Sequence, residues 1–318
     1  MAAAPFLLPD VLVLGAGGIL GEAWMNGVLA GIEEAAGLDF RRVEALVGTS
    51  AGSIVASRLA AGRRPRRPGS PTPAEAPDER AGAETPAPEE IPEDAAPGAV
   101  GRALRDAARW GLAATVPLAP AAIAAGAPAG ALLRSLVLSR LPAGERTLDD
   151  LHRVVARSGV RFDGRLRICA VDRASGRRVV FGAPGAPRPS VADAVVASCA
   201  IPSVFEPVTI DGREYVDGGA WSVTNLDAAP ARAESEVLLL EPTGLPADRP
   251  TVHAALRAAL GAATALELQA LRARGARVRR VRPDAASAEL MAAGLMQPGP
   301  ARDVLAAGHR QGVALASG

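Results

Sequence analysis

Ser50 lies in Gly48-Thr49-Ser50-Ala51-Gly52, a G-x-S-x-G pattern. On a tight turn from strand to helix, such a serine is pushed outward. The first N–H groups and positive dipole end of the new helix then face the place where an oxyanion would form. A serine hydroxyl is a weak nucleophile and needs a base. The usual base is a histidine held by a carboxylate. Here His152, His253 and His309 all fall in probable helices, none beside a glycine turn or a strand end. Asp217, followed by Gly218 and Gly219, closes the short strand expected over Arg213–Val216. Two glycines after an aspartate permit a sharp turn that leaves the carboxylate at the strand end. Asp172 also ends an expected strand, Leu166–Val171, but no glycine pair follows it. A third loop, Gly15-Ala16-Gly17-Gly18-Ile19-Leu20-Gly21, offers consecutive N–H groups at Gly17 and Gly18. With the Ala51 N–H they could hold a negative oxygen. The chemistry these residues suit is ester hydrolysis: Asp217 takes the Ser50 proton, the loop amides hold the oxyanion, and water releases the acid from an acyl-enzyme.

The three loops need elements to carry them. Val11–Leu14 is a β-type apolar run ahead of the glycine loop, and a helical pattern runs from Glu22 to about Ala36. Val43–Val47 predicts a buried strand before the serine turn, and 51–61 a helix closed by Gly62. In a parallel sheet both loops lie at the same edge. A dinucleotide site competes for the first loop and fits poorly. G-x-G-x-x-G counted from Gly15 requires glycine where Leu20 stands, and the serine turn occupies the place of the ribose-binding carboxylate.

With the three loops in hand, the chain resembles the patatin-like phospholipase family, Ser–Asp acyl hydrolases with an α/β/α sandwich. The resemblance implies Ser50 as nucleophile and Asp217, in D-G-[GA], as base. It also implies the glycine loop, Ala16–Gly21, as oxyanion hole, matching G-G-G-x-[KR]-G. The segment Ala197–Pro207 is similar to the family's A-S-x-A-I-P-x-x-F-x-P. The match covers about residues 10 to 230, with Gly21, Gly48, Gly52, Gly218 and Gly219 as motif glycines. Two residues depart from the pattern: Ala16 replaces a glycine and Leu20 replaces the basic residue. A lipid- or acyl-binding protein with weak or no activity is therefore the second reading, and retention of Ser50 and Asp217 argues against it. The resemblance implies phospholipase A or lysophospholipase-type activity on glycerolipids.

Three stretches follow the nucleophile helix. Residues 63–97 are rich in Pro, Glu, Ala and Arg with no hydrophobic period, and read as a disordered insertion that opens on the basic cluster Arg63-Arg64-Pro65-Arg66-Arg67. Trp110–Leu133 carries no charge, but Pro117, Pro120 and Pro128 break any continuous membrane helix. We expect two short helices, Val100–Val116 and Ala129–Arg140, within a helical cap over 98–141. The rest alternates: a helix over Leu148–Ser158, a hairpin of Leu166–Val171 with Arg178–Phe181, and a helix over Val191–Ser198. Beyond residue 230 we expect a strand over Glu236–Leu240, a helix over 253–273, a strand over Arg277–Arg282 and a terminal helix over 301–316. Strand–helix alternation argues a mainly parallel α/β sheet in a single domain over 1–318, with 230–318 as its C-terminal extension.

Composition bounds the rest. Nearly half of the 318 residues are apolar, enough for a sizeable core, and a net charge of +1 gives no global attraction to nucleic acid or anionic membrane. All the basic side chains other than histidine are arginine. Cys169 and Cys199 are too few for a disulfide framework and lack metal-ligand spacing. The expected partners are a lipid ester substrate and, transiently, a membrane surface, with no cofactor and no metal. No basic n-region precedes an apolar stretch, so no signal peptide is expected, and the expected location is cytoplasmic.

Overall fold

The computed structural model describes residues 6–70, 127–243, 252–292 and 294–318. Residues 71–97 of the linker expected over 63–97, the helix over Val100–Val116 and most of the uncharged run lie outside them. One sheet carries the fold. Its strands are β1 (Val11–Leu14), β2 (Ala45–Thr49), β3 (Leu166–Asp172), β4 (Arg178–Phe181), β5 (Val208–Ile210), β6 (Arg213–Asp217), β7 (Glu236–Leu240) and β8 (Arg277–Val281). They run in the order β5-β6-β3-β2-β1-β7-β8, with β4 paired to β3 outside this row. From β3 to β8 the neighbours are parallel. The pairs β3–β4, β3–β6 and β5–β6 are antiparallel.

Alternation along the central strands explains the three layers. Leu12 and Leu14 of β1, Leu46 of β2 and Leu238 and Leu240 of β7 turn to one face. There they meet helices α1 (Gly18–Ala36), α2 (Ala51–Ala60) and the later helix Val191–Cys199. Val11, Val13, Val47, Val237 and Leu239 turn to the other face, against Leu268 and Leu271 of the helix Val252–Ala273. A strand buried on both faces reads as a continuous apolar run, which is why these strands were legible. We number the remaining helices α3 (Ala127–Arg140), α4 (Asp149–Arg157), α5 (Val191–Cys199), α6 (Val252–Ala273), α7 (Ala285–Met291) and α8 (Ala301–Ser317).

Boundaries shift from expectation in places. The strand read as Val43–Val47 is Ala45–Thr49, because Glu44 and Ala45 first bond the Asp10 carbonyl. Helix α1 begins at Gly18, not Glu22. The first residues of the expected linker are docked: buried Arg66 pairs with Glu22 at 2.6 Å, and Arg64 with Glu33 at 3.1 Å. No helix among the described residues is long and apolar enough to cross a membrane.

Helices α1 and α8 meet backbone to backbone. A Cβ on Gly27 or Gly31 would collide with the carbonyls of Leu305 and His309, and one on Gly308 or Gly312 with those of Trp24 and Val28. Small residues let two helix axes approach this closely. Trp24 seals the crossing, its indole N–H donating to Gln311 at 2.8 Å.

Candidate active site

Strand β2 ends at Thr49, and Ser50 turns the chain into α2 with φ 52° and ψ −124°. This conformation costs a non-glycine residue about 1–3 kcal/mol. Packing imposes it. A Cβ on Gly52 would collide with the Leu14 carbonyl, and one on Gly48 would stand 2.5 Å from Ser53 Cα. The glycines thus admit the close approach of α2 to β1 and β2. The Ser50 N–H donates to Ser198 Oγ at 2.9 Å, and Ser198 Oγ donates to the Cys169 carbonyl at 2.7 Å. Ser53 Oγ donates to the Ser50 carbonyl at 2.7 Å. The turn is therefore tied on both its polar sides.

Asp217 arrives from the opposite direction. Strand β6 starts beyond the C-terminal edge of the parallel strands and runs back toward it, with Asp217 opposite Ala170. Thr49 stands opposite Cys169, so the next residue on each strand brings Ser50, Ala170 and Asp217 to one level. The Asp217 N–H donates to the Ala200 carbonyl at 2.9 Å. Its carboxylate accepts the Gly219 N–H at 2.6 Å and feels the nearby Ser50 hydroxyl. Both side chains are buried. Burial raises the Asp217 pKa to about 7, against the pull of the Gly219 N–H and the Ser50 hydroxyl. Gly218 admits the close packing here, since a Cβ on it would strike the Cys169 carbonyl.

The glycine loop closes the third side. A Cβ on Gly219 would lie 3.9 Å from that of Ala16. The Gly15 N–H donates to the Leu240 carbonyl at 3.0 Å and the Ala16 N–H to the Val223 carbonyl at 2.7 Å. The Leu20 N–H donates to the Leu295 carbonyl at 3.0 Å and the Gly21 N–H to the Gly17 carbonyl at 2.8 Å. Among the described residues no acceptor takes the N–H groups of Gly17, Gly18 or Ala51. One of the two departures in this loop has a structural reason. Leu20 is fully buried in the core under α1 and offers packing in place of charge. Ala16 has its N–H already committed.

The other candidates are spoken for. Asp172 accepts from Ser175 and pairs with Arg213 at 2.6 Å, which holds its pKa below the usual value despite burial. His152 bonds Asp193 at 3.0 Å and His309 bonds Glu34 at 3.2 Å; the His253 side chain lies outside the described residues. Cys169 is a buried free thiol whose pKa burial raises to about 12. Sequence reasoning missed Ser198, quoted only within a motif, and Asn225, whose side chain bridges Thr49 and Gly218.

A family model described as Patatin-like phospholipase matches residues 12–230, more than half of the chain. The chain belongs to that family and is a patatin-like phospholipase, a carboxylic ester hydrolase. VipD from Legionella pneumophila is similar at 14% identity and TM-score 0.42, over 98% of this chain and 67% of that one. The heterodimeric ExoU–SpcU complex from the type III secretion system of Pseudomonas aeruginosa is similar at 21% identity and TM-score 0.32, over 96% of this chain and 52% of that one. No curated protein matches the chain.

Proposed function

We propose that this protein hydrolyses lipid esters, of phospholipid or lysophospholipid type, through a Ser50–Asp217 dyad. The observation that carries the reading is the buried Ser50 side chain set level with a buried carboxylate whose pKa is raised to about 7. An ordinary carboxylate is too weak a base for a serine, and the raised value brings Asp217 near the pH at which it must work. Asp217 accepts the proton as Ser50 Oγ attacks the ester carbonyl carbon. The oxyanion meets the N–H groups of Gly17, Gly18 and Ala51. The alcohol leaves with the proton from Asp217, and a water deprotonated by Asp217 then frees the acid. Helix α3 is the described part of the proposed cap: Arg134 donates to the Ala220 carbonyl at 3.0 Å and stacks over Trp221, both just past the dyad aspartate.

The test is a fluorophosphonate probe read by intact mass, on wild type beside Ser50→Ala and Asp217→Asn. One adduct on wild type, lost in both variants, is expected. An adduct that persists in Ser50→Ala would overturn the assignment.

A further inference from the structure

Asn225 is fully buried and holds a left-handed backbone at φ 46° and ψ 36°. Its Nδ2 donates to Thr49 Oγ1 at 3.1 Å, to the Gly218 carbonyl at 3.2 Å and to the Ser222 carbonyl at 2.6 Å. Thr49 immediately precedes Ser50, and Gly218 immediately follows Asp217. One amide therefore spans the two backbone segments that carry the reacting pair. Its orientation is set from behind, where Oδ1 accepts from Arg178 Nη1 at 3.2 Å.

The turn that presents Asn225 is held in its own right. Ser222 Oγ accepts the N–H groups of Thr224 and Asn225 at 3.2 and 3.1 Å. Glu267 of α6 accepts from Thr224 Oγ1 at 2.5 Å and from the Leu226 N–H at 2.9 Å. Glu267 is buried and makes no salt bridge among the described residues, the nearby Arg178 charge being spent on Asp227. A buried carboxylate is costly unless hydrogen bonds hold it, and here both of them come from the 222–226 turn. Residue 267 also lies beyond the matched span of 12–230.

We propose that Glu267 and Asn225 form a brace that sets the separation of Ser50 and Asp217, both acting as positioning residues through the 222–226 turn. The inference rests on the dyad reading above. Glu267 faces the Thr224 and Ser222 hydroxyls, the Leu226 N–H and the carboxylate of Asp227, and burial and that neighbouring charge raise its pKa to about 7. The bonds that matter need only an acceptor oxygen. Glutamine keeps one and removes the charge, while alanine keeps nothing.

The experiment uses the full chain with Glu267→Gln, Glu267→Ala and Asn225→Asp. The readouts are steady-state kinetics on p-nitrophenyl butyrate and amide hydrogen exchange over 45–53 and 217–226. Misplacing a reacting group by about an ångström costs on the order of 10²-fold. Glu267→Ala is therefore expected to lower kcat about 10- to 100-fold with little change in KM, and to speed exchange in both segments; Glu267→Gln restores both readouts. Asn225→Asp keeps the shape but loses the donors, and is expected to reproduce the alanine phenotype with α6 intact, even if Glu267→Ala does not fold. Unchanged exchange in both Glu267→Ala and Asn225→Asp overturns the brace, as does a glutamine variant no better than alanine. Failure of the dyad reading shows instead as a Ser50→Ala variant with wild-type turnover, and the exchange readout still decides the brace.

Discussion

At the residue scale, Asp217 is a compromise between folding and reactivity. Its neutral form is the one that burial favours, and its ionised form is the one that accepts a proton. We expect kcat/KM to rise with pH through about 7 and then level, as Asp217 loses its proton. Ser50→Ala should lower kcat by about 10⁴–10⁶, as removal of a serine nucleophile does elsewhere. The stability effect has the opposite sense. The folded pKa lies above the unfolded value near 3.8, so the folded chain binds more protons between the two and stability falls as pH rises through that window. Asp217→Asn cannot ionise. Its melting temperature should exceed that of wild type at pH 8 and equal it near pH 4, a comparison that thermal scans at the two pH values make directly. An unchanged difference across that range would mean that the carboxylate is not buried in solution.

At the element scale, what the sequence discloses depends on how local the cause is. Strands β1, β2, β3 and β7 announce themselves because both faces are buried, and α2 because Ser50 and its flanking glycines mark the turn. Strand β5 is three residues long, too short for alternation to register. The reversed direction of β6 was not legible either, since it depends on pairing with β3 across the chain. The two residues proposed as the dyad stood out because each carries its own glycine pattern. Asn225 and Glu267 carry none: each acts on a residue brought near only by the fold. Arg134 illustrates the same limit on α3. Burial and the charge of Arg178 lower its pKa to about 10, so it stays charged, yet its partners are the Ala220 and Gly176 carbonyls and the Trp221 ring. Arg134→Ala should destabilise the protein by about 1–3 kcal/mol, since two buried carbonyls lose their donor. Urea denaturation checks this, and a cost near zero would show that α3 is not anchored there.

At the scale of the whole molecule, the family-matched span is not a self-sufficient unit. Residues 12–230 omit β7, which pairs with β1 inside the sheet. They also omit Pro242, which packs on Gly17 and Gly21, and Leu295, which holds the Leu20 N–H. A fragment ending at residue 230 is expected to show no cooperative thermal transition in circular dichroism, whereas the full chain shows one. The crossing of α1 and α8 adds a constraint of another kind. The nearest obstacle to a side chain at Gly27, Gly31, Gly308 or Gly312 is in each case a main-chain carbonyl, joined only at Gly308 by a side chain, that of Trp24. A clash with a side chain can be relieved by shrinking that side chain; a clash with backbone has no such remedy. No second substitution on the facing helix can therefore rescue the first, and the four positions are closed to stepwise change. A library randomised at all four and selected for a folded, esterolytic product should return glycine at each. The helix that opens at the glycine loop and the helix over 301–317 would then be inherited as one piece.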